Sequence, residues 1–317
     1  MKVSQHIAGA NKPLFSFEIL PPLKGQTIHD LYQSIDPLME FKPPFINVTY
    51  HREETVYKRL SNGLLEEKVV RKRPGTVGIC AAIMNKYQVD PVPHLLCGGF
   101  SKEDTENALI DLHFLGVENV LALRGDSTKS QNYFIPEKDG NKNASELVRQ
   151  IVNMNQGKYL DDELKDTSPS NFSVGVAGYP EKHFEAPSLN IDIAYLKEKV
   201  DAGADYIVTQ LFFDNAKFFA FEEKCRAAGI GVPIIPGIKP IATKRQLSML
   251  PNRFHIDIPD ALALELVKSK DNTEARELGV RWAIEQCKEL LDAGVPVLHF
   301  YSMGKSDNIR TIAEALF

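Results

Sequence analysis

A helix-like stretch that ends at glycine, followed at once by a short apolar run, recurs along this chain. Leu115-Gly116 precedes Val117–Leu123, and Ala202-Gly203 precedes Tyr206–Phe213. Ala228-Gly229, with Gly231, precedes Val232–Ile235, and Ala293-Gly294 precedes Val295–Tyr301. Glycine just past a helix end adopts the left-handed conformation without a Cβ penalty. The runs that follow are almost continuously apolar, as in strands of a parallel sheet buried on both faces. The repeating unit is therefore βα. Eight strands are predicted: Phe15–Leu20, Phe45–Tyr50, Val92–Cys97, Val117–Leu123, Phe172–Tyr179, Tyr206–Phe213, Val232–Ile238 and Val297–Tyr301. Eight such units in 317 residues point to a closed (β/α)8 TIM barrel, a single domain over 1–317. The competing arrangement, an open doubly wound sheet, usually carries G-x-G-x-x-G after its first strand. Neither that motif nor G-x-x-x-x-G-K-[ST] occurs.

The helices between strands carry their own signals. Ser101 with Asp104 reads as an N-cap with an acid at N3, and Ala108, Leu109, Leu112 and Leu115 then form an apolar stripe. Val280, Ile284, Cys287 and Leu291 do the same in the last long helix. Ser127–Lys142 and Gly157–Asn171 are polar and read as surface loops. The basic run Arg71-Lys72-Arg73, before Pro74-Gly75, reads as a solvated helix end rather than a phosphate patch.

Charge and cysteine usage exclude several classes. With 37 basic against 42 acidic side chains the net charge is -5, so no nucleic-acid partner is expected. The four cysteines are scattered without C-x-x-C, which argues against a disulfide framework and for a reducing compartment. No apolar run reaches roughly 18 residues and the first residues lack an apolar signal core, so the expectation is a cytoplasmic protein without a membrane partner.

A barrel presents its chemistry at the C-terminal ends of its strands. Strand 1 delivers Glu18 before Pro21-Pro22, strand 2 Asn47, Thr49 and Tyr50, and strand 3 His94. Strand 4 ends Arg124-Gly125-Asp126, and strand 5 brings Tyr179 with Glu181, His183 and Glu185 beyond it. Strand 6 gives Gln210 and strand 8 gives His299 and Tyr301. A carboxylate inside an apolar strand is costly unless it has a partner or a task. Singly, each residue reads equally well as structure: a satisfied histidine, a rim ion pair, a strand cap. Together, polar groups crowd one rim while the opposite ends are mostly Gly, Ala and Val, which favours an enzyme. No metal is expected, because no His or carboxylate pair has the tight i, i+4 spacing of a helix-borne zinc site. No G-x-S-x-G elbow is present, which argues against a serine hydrolase.

These residues closely resemble the methylenetetrahydrofolate reductase family. The matches include Phe17-Glu18-x-x-Pro21-Pro22, Val48-Thr49-Tyr50, Pro93-His94-Leu95-x-Cys97 and Leu121-Ala122-Leu123-Arg124-Gly125-Asp126. They continue with Ala177-x-Tyr179-Pro180-Glu181-x-His183-x-Glu185-Ala186, Thr209-Gln210-x-Phe212-Phe213-Asp214, Ile235-Pro236-Gly237-Ile238 and His299-Phe300-Tyr301. The resemblance runs nearly end to end and points to the short bacterial type, the catalytic barrel alone. It implies a non-covalent FAD in the barrel mouth, reduced by NADH or NADPH, which then passes hydride to 5,10-methylenetetrahydrofolate. The product would be 5-methyltetrahydrofolate for methionine synthesis. It implies Glu18 as the acid that protonates the folate's leaving nitrogen and Asp126 as the charge beside flavin and pterin. It implies FAD contacts at Thr49, Tyr50, His94, Arg124, Gly125, Asp126, Ala144, Tyr179, His183, Ala186, Asp192 and Lys199. Substrate contacts are implied at Thr49, Asp126, Gln210, Gln246 and Lys305. Members of the family often form homo-oligomers.

The chain departs from the family pattern in places. Lys305, after Gly304, stands where the pattern has Arg after Asn; Tyr195 and Glu198 stand at two flavin-side positions of Asn and Arg; Arg52 replaces a small residue. Two other readings compete: a flavin-free barrel that binds methyltetrahydrofolate as a methyltransferase, and a scaffold on a dead barrel. Flavin absorbance separates the first from the reductase, and retention of Glu18, Asp126 and Gln210 together speaks against the second. Nothing in the residues decides between NADH and NADPH.

Overall fold

The computed structural model describes residues 1–127, 131 and 133–317. Among the described residues ten strands are formed: β1 Leu14–Ile19, β2 Phe45–Val48, β3 Glu54–Arg59, β4 Leu65–Val70, β5 Asp90–Leu96, β6 Asn119–Leu123, β7 Ser173–Gly178, β8 Tyr206–Leu211, β9 Ile234–Ile238 and β10 Val297–Tyr301. Eight of them close a barrel in the order β1-β10-β9-β8-β7-β6-β5-β2, with every neighbour parallel. The eight predicted strands are these eight, most of them trimmed by one or two residues where the chain turns into its loop. The helix-ending glycines behave as expected: Gly116 and Gly203 sit at φ 79° and 112°. Ser101 Oγ accepts from Asp104 N at 3.0 Å and Asp104 Oδ2 accepts from Ser101 N at 3.0 Å, closing the capping box of the helix Lys102–Phe114.

Side chains alternate between the barrel interior and the helical ring. Phe17, Ile46, Val48, Ile207 and Ile234 point outward into the helix layer. The lower interior is apolar, filled by Phe45, Val92, Leu121, Tyr206, Ile235 and Val297. An unpredicted helix, Val3–Gly9, lies under it and inserts the fully buried Val3. Asn119 holds that helix by accepting from Val3 N at 2.8 Å and donating to Met1 O at 2.9 Å. All four cysteines are buried, and desolvation pushes the thiols of Cys97, Cys225 and Cys287 up to about 12 and that of Cys80 higher still.

A further unpredicted element is the β3–β4 hairpin, which stands outside the barrel. Its turn is built on Asn62-Gly63, with Gly63 at φ 84°. Arg71-Lys72-Arg73 leaves this hairpin. It is not the solvated helix end expected from sequence, because Arg73 is half-buried and donates to the Pro21 backbone oxygen. The Gly157–Asn171 segment is a loop, as expected. Of the Ser127–Lys142 segment, positions 128–130 and 132 lie outside the described residues.

Glycine at two interior positions makes room for aromatic rings. A Cβ on Gly175 would lie 2.4 Å from the Tyr206 ring, and one on Gly237 would lie 2.3 Å from Thr209 O and 2.5 Å from the Tyr301 ring. The Thr209 carbonyl belongs to the neighbouring strand and also accepts from Tyr301 Oη at 2.6 Å, so neither neighbour can yield freely. Gly237→Ala should therefore cost about 1–3 kcal/mol by overpacking. Thermal or urea melting checks this, and an unchanged midpoint would show that β9 has slack there.

Candidate active site

The C-terminal ends of the barrel strands enclose a cavity of about 750 Å³. Glu18, Thr49, Tyr50, His94, Arg124, Gly125, Asp126, Ala144, Tyr179, His183, Ala186, Asp192, Lys199 and Gln210 all line it, which brings together every residue implied by the family resemblance except two, whereas Asn47, Glu181 and His299 of the strand-end set do not line it. Gln246 opens the helix Gln246–Phe254, and its Oε1 accepts from Ala242 N and Thr243 N at 2.6 and 3.1 Å, closing the local turn. Lys305 is exposed in the loop after β10. Neither lines the cavity.

Glu18 stands on β1 in register with Tyr301 of β10 and Asn47 of β2. Thr49 Oγ1 donates to its Oε1 at 2.8 Å, and His94 Nε2 lies 3.4 Å from its Oε2. The side chain is 19% exposed, and that part faces the cavity rather than bulk solvent. Desolvation therefore outweighs the Thr49 hydrogen bond and pushes the carboxyl up to about 7. Burial pushes His94 the other way, down to about 3, so its imidazole is neutral. One tier below, Ser16 Oγ and His299 Nδ1 lie 2.9 Å apart, and burial likewise pushes His299 down to about 3. Neither imidazole supplies the positive charge that would hold Glu18 ionised. The floor of the site is thus polar but uncharged, and Glu18 is a proton donor poised near neutrality.

One wall carries paired charges instead. Arg124 Nη2 donates to Glu185 Oε1 at 3.0 Å while its Nη1 bonds the other carboxylate oxygen, a bidentate pair. Asp192 and Lys199, on one face of the helix Leu189–Asp201, both reach the cavity, as their seven-residue spacing predicts. Asp192 Oδ2 accepts from His183 N at 2.9 Å, and Lys199 Nζ donates to Ala177 O at 2.6 Å. Burial lowers the Lys199 amine to about 8 despite Asp192. The Tyr179 and His183 rings meet edge to face with centroids 4.8 Å apart. The helix Ala144–Asn155 points its N-terminus at the same wall, capped by Asn143, whose Oδ1 accepts from Glu146 N at 3.0 Å. Cations, a helix N-terminus and small residues such as Gly125 and Ala144 together suit an extended ligand that carries phosphates.

Gln210 is less free than its place on β8 suggests, since its Oε1 accepts from Leu211 N at 2.9 Å, where the β8–β9 register shifts. Its amide NH2 remains available to the cavity. Tyr195 and Glu198, the two departures on the Leu189–Asp201 helix, line the cavity as well. Sequence reasoning missed His51, Arg253, Phe254 and Met303, which complete the mouth. They lie on loops and on a helix interrupted by Pro251, where no periodic signal marks them.

The family model described as methylenetetrahydrofolate reductase matches residues 2–317. Methylenetetrahydrofolate reductase 1 of Schizosaccharomyces pombe is 35% identical over 321 residues, which cover 100% of this chain and 48% of that protein. The chain thus spans about half the length of that relative. The 5,10-methylenetetrahydrofolate reductase of Escherichia coli is 30% identical over 306 residues, covering 95% of this chain and 90% of that protein. Among solved structures, a Clostridium thermocellum protein described as binding two copies of 5-methyl-5,6,7,8-tetrahydrofolic acid superposes with TM-score 0.58 at 14% identity, over 98% of this chain and 96% of that one. That likeness concerns the fold alone. With the match to the family model running nearly end to end and the site residues assembled on one rim, the chain belongs to the methylenetetrahydrofolate reductase family.

Proposed function

We propose that this chain is an FAD-dependent 5,10-methylenetetrahydrofolate reductase that oxidises a reduced nicotinamide and forms 5-methyltetrahydrofolate, the methyl source for methionine. The observation that carries the reading is Glu18, a carboxyl that desolvation raises to about 7, lining a cofactor-sized cavity of about 750 Å³.

The donor set fits the flavin. A volume of about 750 Å³ falls among cofactor-sized pockets of about 300–1,000 Å³. Arg124, Lys199 and the N-terminus of the Ala144–Asn155 helix would take the pyrophosphate, and Asp192, His183 and Tyr179 the neighbouring sugar and ring. Thr49, His94 and Asp126 would surround the reactive ring system. When bound, the flavin supplies a two-electron carrier that accepts hydride from nicotinamide and gives it to the folate.

The protein's own part is proton delivery and positioning. The folate's bridging methylene must open to an iminium before it can accept hydride, and opening requires a proton on the leaving nitrogen. Glu18 gives that proton, while Thr49 fixes the carboxyl and neutral His94 leaves it uncharged beforehand. Asp126 at the rim offers a negative charge to the cationic iminium. The Gln210 amide can donate to the nicotinamide carboxamide or to the pterin edge, so one pocket serves both substrates in sequence.

Glu18→Gln should leave flavin bound and reducible by nicotinamide but slow folate reduction by about 10²–10⁴-fold. Stopped-flow measurement of the two half-reactions tests this, and equal losses in both would rule out a folate-specific acid.

The pH dependence has a defined sign. Glu18 donates only when protonated, and its carboxyl is raised to about 7. The folate half-reaction should therefore be fast below that value and fall as pH rises through it, while flavin reduction shows no such limb. A folate limb centred near an ordinary carboxylate value would contradict the desolvated setting of Glu18.

A further inference from the structure

The β3–β4 hairpin folds without a core of its own. None of its side chains belongs to the hydrophobic clusters of the barrel, and a lone two-stranded hairpin is marginal in water. Leu60 N donates to Leu64 O at 2.8 Å to close it, and cross-strand partners then run from Arg59 with Leu65 to Glu54 with Val70. Ladder bonds alternate along an antiparallel pair, so Glu54, Val56 and Lys58 spend their backbone groups on β4. The backbone groups of Thr55, Tyr57 and Arg59 face outward along an open edge, and no other backbone bonds them among the described residues. Tyr57, Leu65 and Val69 share one face of the hairpin and are exposed. An open edge beside an exposed apolar face is a template for another strand.

The charges along β3 say which strand fits. Acids open the run Glu53–Arg59 and bases close it. Glu53, Lys58 and Arg59 form no ion pair among the described residues, while Glu54 accepts from Lys72 Nζ at 2.6 Å. A two-fold axis perpendicular to the sheet lays a second copy of β3 antiparallel beside the first and keeps paired residues on one face. With that axis at Val56, Glu53 stands opposite Arg59, Glu54 opposite Lys58, Thr55 opposite Tyr57 and Val56 opposite itself. The Glu53–Arg59 and Thr55–Tyr57 pairs lie where the outward backbone groups can bond. All of these are favourable cross-strand pairs. Neighbouring registers lose the match. An axis at Tyr57 sets Lys58 and Arg59 against Val56 and Thr55, one at Lys58 sets that lysine against itself, and one at Thr55 sets Arg52 against Lys58. On β4, axes at Glu66, Glu67 and Lys68 each set a charge against its own copy.

We propose that the β3 edge is a self-association surface, on which two copies of this chain pair β3 with β3 antiparallel, two-fold at Val56, into one four-stranded sheet. The contact is isologous, each copy giving and receiving the same groups. Tyr57, Leu65 and Val69 of both copies then lie on one side of the shared sheet, which joins two small apolar patches into one. The inference stands apart from the reductase reading and needs no ligand.

Sedimentation and cross-linking of the full chain test it. A dimer should be present at micromolar concentration and should weaken as salt rises. Arg59→Glu should raise its dissociation constant by about tenfold or more, because both Glu53–Arg59 pairs become like-charge contacts. Adding Glu53→Arg to that variant should restore the dimer. Val56→Cys should form a disulfide with its own copy on mild oxidation, since partners at a non-hydrogen-bonded position have Cα atoms about 4.5 Å apart. Lys58→Cys, about 14 Å from its own counterpart in this register, should not. The four native cysteines are buried and do not compete. A monomer at these concentrations would overturn the proposal. So would an oligomer that neither responds to Arg59→Glu nor cross-links through Val56→Cys, since the copies would then meet on another face.

Discussion

Closing eight parallel strands into a ring dictates where everything else can go. All the C-terminal strand ends share one rim, so side chains far apart in sequence, from Glu18 to Tyr301, face one space. The lower interior must be filled, and it is filled with aliphatic and aromatic groups backed by Val3. The upper interior can stay open because the apolar layer beneath it carries the packing. This division lets a single carboxylate sit deep in the barrel without a counter-ion, since its burial comes from the ring of strands and not from a lid.

The site treats its charges in two ways. On the wall, Arg124 and Glu185 neutralise one another, and Asp192 stands beside Lys199 and accepts from the His183 amide. At the floor, Glu18 meets only neutral hydrogen-bonding groups. Paired charges hold their protonation state over a wide pH range, which suits groups that grip a ligand. An unpaired, desolvated acid changes state near neutrality, which suits a group that must lose and regain a proton each cycle.

Much of this was legible in the sequence, for identifiable reasons. The eight strands announce themselves because strands buried on both faces must be almost wholly apolar and because glycine marks four of the helix ends that precede them. Glu18 stands out because a carboxylate interrupts such a run. The β3–β4 hairpin was not legible. Its strands, ETVYKR and LEEKVV, pack against no core and mix charged with apolar residues, so the period of two is blurred although Asn62-Gly63 supplies the turn. Gln246 and Lys305 were placed by resemblance of local motifs, but a loop residue's direction depends on packing that a motif does not encode. Gln246 instead caps its own helix start. Arg253 went unread because Pro251 breaks the helical pattern that would have brought it to the mouth.

The four cysteines carry a practical consequence. Each is buried, and each holds its proton far above neutral pH. Thiolate is the reactive form, so the folded barrel offers alkylating agents and peroxides almost nothing to attack. Labelling with a thiol-reactive dye would therefore proceed only as fast as the helical layer opens. Because Cys80, Cys97, Cys225 and Cys287 sit on different segments of that layer and of the strand ends, the order in which they label would map which part of the ring loosens first.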